Sequence, residues 1–198
     1  APAAALAQSP SRIGRKTLRL PIPTPETTLD TVQTNSDLRT SEILAHIFEA
    51  PLTYDYLARP ARLALATAAA MPEVSADGKV FTIRIQPGIL FADDPAFNGK
   101  ARELTAADYV YSLKRFYDPK NNAENIYVFQ NAKVLGLTEL RERALKDKTP
   151  FDYDTPVEGI RALDRYTFQV KLAEPGPRFL YVFATPVNTG AVAREVVE

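Results

Sequence analysis

Cysteine is absent from the 198 residues, which excludes disulfides, thiolate metal sites and a cysteine nucleophile. It also leaves no cysteine within this stretch to carry a lipid. Histidine occurs once, at His46, so a His–Cys metal site cannot be built and a Ser-His-Asp triad would have to use that single imidazole. An excess of either charge is missing too. Lys+Arg and Asp+Glu number 24 each, which gives no electrostatic footprint for nucleic acid or an anionic membrane. No run approaches the about 20 consecutive apolar residues of a membrane-spanning helix. Ser-x-x-Lys, H-E-x-x-H, Walker A and G-x-G-x-x-G patterns are all lacking. An enzyme built from this chain would have to rely on carboxylates, lysine and tyrosine.

What remains is an ordinary globular composition. Apolar residues make up 45% and charged residues 24%, so a packed core is expected, in one generous domain or two small ones. The opening Ala1-Pro2-Ala3-Ala4-Ala5-Leu6-Ala7-Gln8 reads equally as the tail of an export signal, through the small-x-small Ala5-Leu6-Ala7, or as a flexible leader over 1–14. Lys16-Thr17-Leu18-Arg19-Leu20 alternates as a half-buried first strand would. Pro21, Pro23 and Pro25 then force an extended exit.

Further elements follow from periodicity and punctuation. Ile43, Leu44, Ile47 and Phe48 predict a one-faced helix over 41–48, ended by Pro51 and followed by an extended piece over 52–55. The Asp77-Gly78 pair predicts a hairpin between 72–75 and 80–86, with Phe81, Ile83 and Ile85 on the core face. Thr105 and Asp108 form a capping-box pair opening a helix to about Tyr117, with Val110, Leu113 and Tyr117 as its apolar stripe, widened by Tyr109 and Phe116. A second helix is predicted over 138–148, carrying the i,i+4 pairs Glu139/Arg143 and Glu142/Lys146. Asp164-Arg165 joins a second hairpin, 157–163 with 166–172, and Pro175 to Pro177 introduce a short helix bearing Phe179, Leu180, Val182 and Phe183.

Few residues invite a chemical reading. Asp93-Asp94 is the best acidic pair and could bind a hard cation or share a proton, but a solvated loop before the Asn98-Gly99 turn is the favoured reading. Glu49 could face a cleft, but a surface carboxylate at a helix end is the favoured reading. His46 is read as a satisfied, partly buried structural residue beside Ile43 and Ile47. Tyr109, Tyr111, Phe116 and Tyr117 fit core and rim packing, whereas Tyr127-Val128-Phe129 falls in an apparent loop and is free to line a ligand cleft.

Laid in order, several of these segments resemble the extracellular solute-binding proteins of ABC importers, in the peptide and oligopeptide branch known as family 5. Thr28-Leu29-Asp30 resembles the family's T-L-D-P entry, with Thr31 replacing proline. Ile43 and His46-Ile47-Phe48-Glu49 before Pro51-Leu52-Thr53-Tyr54-Asp55 resemble its helix and strand. Asp77-Gly78-Lys79, Pro87-Gly88-Ile89-Leu90-Phe91, residues 104–115 and the hairpin over 160–170 continue the series, which covers roughly 15–198.

The resemblance implies a mixed α/β (α+β) fold like that of periplasmic binding proteins, with a two-lobed trap of which this stretch supplies the N-terminal part. On that layout 15–35 holds the first-lobe strand and loop, 36–172 the small subdomain, and 173–198 the return to the first lobe, short of the second lobe. A half-cleft of this kind is expected to bind peptide weakly by itself. The implied role is capture of peptides or peptide-like solutes in the periplasm for delivery to an ABC permease of the inner membrane. Thr28, Leu29 and Asp30 are the implied ligand-binding residues. No cofactor, metal, catalytic residue, nucleic acid or membrane insertion is implied, and the protein is expected to be a monomer. The fold also hosts binders of nickel, sugars and opines. A sensor, a chaperone for exported proteins and, last, a hydrolase built on Asp93 and Asp94 are the competing functions.

Overall fold

The computed structural model describes Thr17, Arg19, Pro21, residues 25–34 and residues 38–198. The leader and most of the strand expected at 16–20 lie outside the described residues. In chain order the elements are α1 (Leu38–Ile47), β1 (Leu52–Tyr54), β2 (Leu63–Leu65), β3 (Glu73–Val74), β4 (Val80–Arg84), α2 (Ala106–Arg115), α3 (Tyr127–Asn131), α4 (Leu137–Asp147), β5 (Ile160–Ala162), β6 (Thr167–Lys171), α5 (Pro186–Thr189) and α6 (Arg194–Val197). Short 3-10 turns, among them Thr31–Gln33 and Phe179–Ala184, link them.

The centre is an antiparallel four-stranded sheet in the order β3-β4-β6-β5. Its first hairpin closes where Asp77-Gly78 requires it. Gly78 takes φ +69°, a left-handed value that a side chain disfavours, and the Ser75 hydroxyl accepts the Val80 N–H at 2.9 Å. The register sets Phe81 opposite Val170 and Ile83 opposite Phe168. Because strand side chains alternate, Phe81, Ile83, Phe168 and Val170 are all buried, while Val80, Thr82 and Arg84 keep some exposure. Both predicted hairpins are therefore present.

Two aromatic layers cover that face. From α2, the Tyr109 ring stacks on Phe168 with centroids 5.0 Å apart. From the Phe179–Ala184 turn, Phe179 and Phe183 meet Phe81 edge-on or tilted at 5.2 and 6.4 Å. Each such ring contributes about 1.5–3 kcal/mol by leaving water. Gly159 lets β5 approach the neighbouring connection, because a Cβ there would stand 2.1 Å from the Leu135 carbonyl oxygen.

The Asp108 carboxylate accepts the Thr105 N–H at 2.7 Å and its hydroxyl at 2.8 Å, so the expected capping box opens α2. Burial on this helix extends beyond the apolar stripe to Tyr111, Asp108, Lys114 and Arg115, while Val110 is only partly buried.

Other expectations change. Helix α1 starts at Leu38, three residues before the first predicted position. His46 on it is exposed, not partly buried, with Nδ1 2.7 Å from the Glu42 carbonyl; its flank of the helix turns away from the core that takes Leu44. Tyr127, Val128 and Phe129 form the short helix α3 instead of a loop, and Phe129 is buried with its ring 5.0 Å from Phe116. The two ion pairs expected on α4 do not close, since water solvates those side chains and exposed pairs gain little. On the same helix Arg141 donates to the Tyr117 carbonyl at 3.1 Å. Strand β2, unforeseen, pairs antiparallel with β1.

Candidate functional site

Four stretches meet around an open cavity of about 600 Å³. Leu29 and Asp30 come from the segment ahead of α1, Ile47 to Glu49 from the end of α1, and Ile89 to Asp94 from the connector after β4. The fourth is the return segment 191–197, which crosses beside them. Most of the lining is apolar. Polar groups enter through Thr67, through the Asp30–Arg115 pair, and through the carboxylates Glu49, Asp93 and Asp94. Such a mixture, apolar walls with a few placed polar groups, is what small-molecule clefts share.

Each wall has a local reason. The connector is hemmed by Phe91 N–H to the Arg102 carbonyl and Leu104 N–H to the Ile89 carbonyl, both at 2.8–2.9 Å. Glu103 fastens its base by accepting from the Gly88 N–H, the Arg165 guanidinium and the Tyr166 hydroxyl. The Arg165 contact, with help from the other two donors, holds the Glu103 carboxyl below its usual range. Asp94 caps the Pro95–Phe97 turn by accepting the Ala96 N–H at 2.9 Å. Gly190 lets the return segment touch α1's end, because a Cβ there would meet the Phe48 Cβ at 2.7 Å. Thr67 joins cavity to core: its hydroxyl lies 2.5 Å from the Tyr109 hydroxyl, whose ionisation burial pushes far up.

Charge is buried along α2, and each charged group there has a named partner. Asp108 takes the Arg102 fork at 2.6 and 2.9 Å, and Arg102 also holds Glu195 at 2.6 Å. The Lys114 ammonium donates to the Tyr153 and Thr155 carbonyls at 2.7 and 2.8 Å, and burial lowers its pKa. Asp118 accepts the Tyr153 hydroxyl at 2.7 Å. Arg115, only 3% exposed, forks onto Asp30 at 3.0 and 2.6 Å. Arg115 also borders a second cavity of about 720 Å³, in whose lining Arg194 lies over the Tyr111 and Tyr153 rings and pairs with Asp154.

Of the three residues expected at a ligand site, Leu29 and Asp30 line the cavity. Thr28 stands behind them, its hydroxyl accepting the Asp30 N–H at 3.0 Å. Glu49, Asp93 and Asp94 reach the cavity as well, but among the described residues no group of three or more His, Cys, Asp or Glu could hold a metal ion. The return segment and Arg115 were missed. A basic residue in a helix's last turn reads as a solvated partner of the dipole, and only the apolar Phe116 and Tyr117 after it hint at burial.

Residues 62–193 match the sequence profile of bacterial extracellular solute-binding proteins, family 5 (middle region). The chain belongs to that family. A dipeptide-binding protein from Lactococcus lactis is 30% identical over 173 residues, 87% of this chain and 28% of its own length. The periplasmic oligopeptide-binding protein OppA of Escherichia coli is 29% identical over 62% of this chain and 20% of its own. Among solved structures, Haemophilus influenzae OppA in complex with the peptide RPPGFSPFR superposes with a TM-score of 0.68 at 22% identity, covering 86% of this chain and 29% of that one. The pheromone receptor PrgZ gives 0.66 at 24% identity, with 88% and 30% covered. The chain thus spans less than a third of the relatives it matches. The mixed α/β, periplasmic-binding-protein-like fold is that of these structures. Among the described residues no helix is long and apolar enough to cross a membrane.

Proposed function

We propose that this chain forms one wall of a peptide-capturing cleft, in a protein that delivers peptides or peptide-like solutes from the periplasm to an ABC permease of the inner membrane. The observation that carries the reading is the open, largely apolar cavity between residues 29–30 and the return segment 191–197, in a chain of the solute-binding family. Leu29 and Asp30 face the solute, with Thr28 bracing them. The layout 15–35, 36–172 and 173–198 divides the stretch into first-lobe loop, small subdomain and return to the first lobe. The whole protein works as a monomer and without a cofactor.

A wall alone leaves much of a ligand in water, well short of the ~70–90% burial typical of a pocket. The residues described here should therefore bind far more weakly than the full-length protein. Native mass spectrometry of the full-length protein purified from cells tests the reading. Release of peptide masses on denaturation is the expected result; an empty protein that also gives no heat with an equimolar tripeptide mixture would refute it. PrgZ, named a receptor with a mode of peptide binding, favours a second reading in which the captured peptide is sensed and not imported. Unimpaired peptide uptake in a strain lacking the gene would select that reading.

A further inference from the structure

We propose that Arg115 is the positioning residue of the cavity: it fixes the loop 28–30 against α2 and so sets where Leu29 and Asp30 stand. Its affinity readout rests on the peptide-capture reading above, while its structural readout does not.

The loop has little else to hold it. Leu29 is 55% exposed and gains no place from burial. Thr28 and Asp30 are half-buried. Downstream, Val32 is buried and anchors the turn, and Thr34 accepts from the Asn125 amide at 3.2 Å. Upstream, Thr27 meets the Thr40 hydroxyl at 3.0 and 3.3 Å. Between those anchors, the one charged tie from residues 25–34 to the rest of the described chain is Arg115 to Asp30.

That tie organises the loop from within. The Asp30 carboxylate receives three donors: Nη1 and Nη2 of Arg115 at 3.0 and 2.6 Å, and the Val32 N–H at 3.2 Å. The Gln33 N–H closes on the Asp30 carbonyl at 3.1 Å, and the Asp30 N–H on Thr28 Oγ1. Turn, brace and cavity-facing carboxylate therefore move as one piece.

From the other side the dependence is as strict. The Arg115 side chain is 3% exposed, and among the described residues its buried Nε has no partner and Asp30 accepts both hydrogen bonds that the guanidinium makes. A buried guanidinium whose only acceptor is removed is left with an uncompensated charge. A lysine keeps the charge but cannot fork onto two carboxylate oxygens. Since Arg115 rises from the end of α2, whose Tyr109 stacks on Phe168, the loop's position is referred to a helix packed on the central sheet.

The test uses the full-length protein and the variants Arg115→Lys, Arg115→Met and Asp30→Asn, with Lys133→Met as a control from an exposed pair. Amide hydrogen exchange is followed at Asp30, Val32 and Gln33 and in β4 and β6, alongside calorimetry with an equimolar tripeptide mixture. Arg115→Lys and Asp30→Asn are expected to speed exchange at the three loop amides and leave β4 and β6 protected. Peptide affinity is expected to fall about tenfold or more, and the control to change neither quantity. If Arg115→Met does not fold, the other two variants carry the test. Native protection at Asp30, Val32 and Gln33 in Arg115→Lys overturns the proposal. So does lost protection with unchanged affinity, which would make the pair structural only. A wild-type protein that binds no tripeptide refutes the capture reading, and the exchange data then decide the positioning role alone.

Discussion

The two flanks of the cavity are built on opposite plans. On one side, the sheet meets α2 and the Phe179–Ala184 turn through shared rings: Phe168 lies against Tyr109 and Phe183, and Phe81 against Phe179 and Phe183. On the other, residues 27–30 are tied by polar contacts, one ion pair and the Thr40 hydroxyl, ahead of the buried apolar anchor Val32. Apolar burial is redundant and non-directional, so losing one ring weakens the whole domain. A forked ion pair is specific and singular, so losing it frees one loop. The cavity thus has a stiff back and an adjustable lip.

Four measurements would break or sharpen that contrast. Phe168→Ala removes a ring that is 0% exposed, and it should cost about 3–5 kcal/mol in urea unfolding with all probes shifting together. A shift confined to local exchange would show that the sheet side is not one cooperative unit. Next comes Thr67→Val, which strips the partner of the buried Tyr109 hydroxyl at the cavity wall; about 1–3 kcal/mol is expected. A neutral result would mean that Tyr109 finds another acceptor.

Acid should act next. Glu103, held down chiefly by Arg165, and Glu195, held down chiefly by Arg102, both titrate below the ordinary glutamate value of 4.5. Their stabilisation is present above the unfolded value and is lost as pH falls through the lower folded values. Unfolding midpoints should therefore decline below about pH 4.5, and less steeply in Glu103→Gln. An equal slope in that variant would remove Glu103 from the account. The smallest effect belongs to Lys133→Met, which breaks an exposed pair with Glu174. It should shift stability by no more than about 0.5 kcal/mol, and a larger loss would mean that surface pairs also contribute to the stiff side.

What was legible in the sequence divides along the same line. Asp77-Gly78 and the alternation of Phe81, Ile83 and Ile85 specify a hairpin and its buried face through local rules, and Thr105 with Asp108 does the same for the start of α2. Three-residue strands such as β2 carry too little pattern to be seen; Leu63-Ala64-Leu65 becomes a strand only because β1 lies beside it. Tyr127 to Phe129 follow Asn121-Asn122 and read as loop, but burial of Phe129 against Phe116 turns them into a helix. Leu29 and Asp30 could be named from family likeness. Arg115 could not, because its partner lies 85 positions away and nothing local announces the meeting.

Gly190 has a consequence for how such a cleft diversifies. Bare backbone runs against Phe48 there with no clearance for a side chain, so that crossing is closed to substitution. Leu90 and Asp93, which also line the cavity, are exposed and can be exchanged without disturbing the sheet. Lineages that change their preferred solute should therefore record the change at positions such as 90 and 93, and keep the crossing at 190 free of side chains.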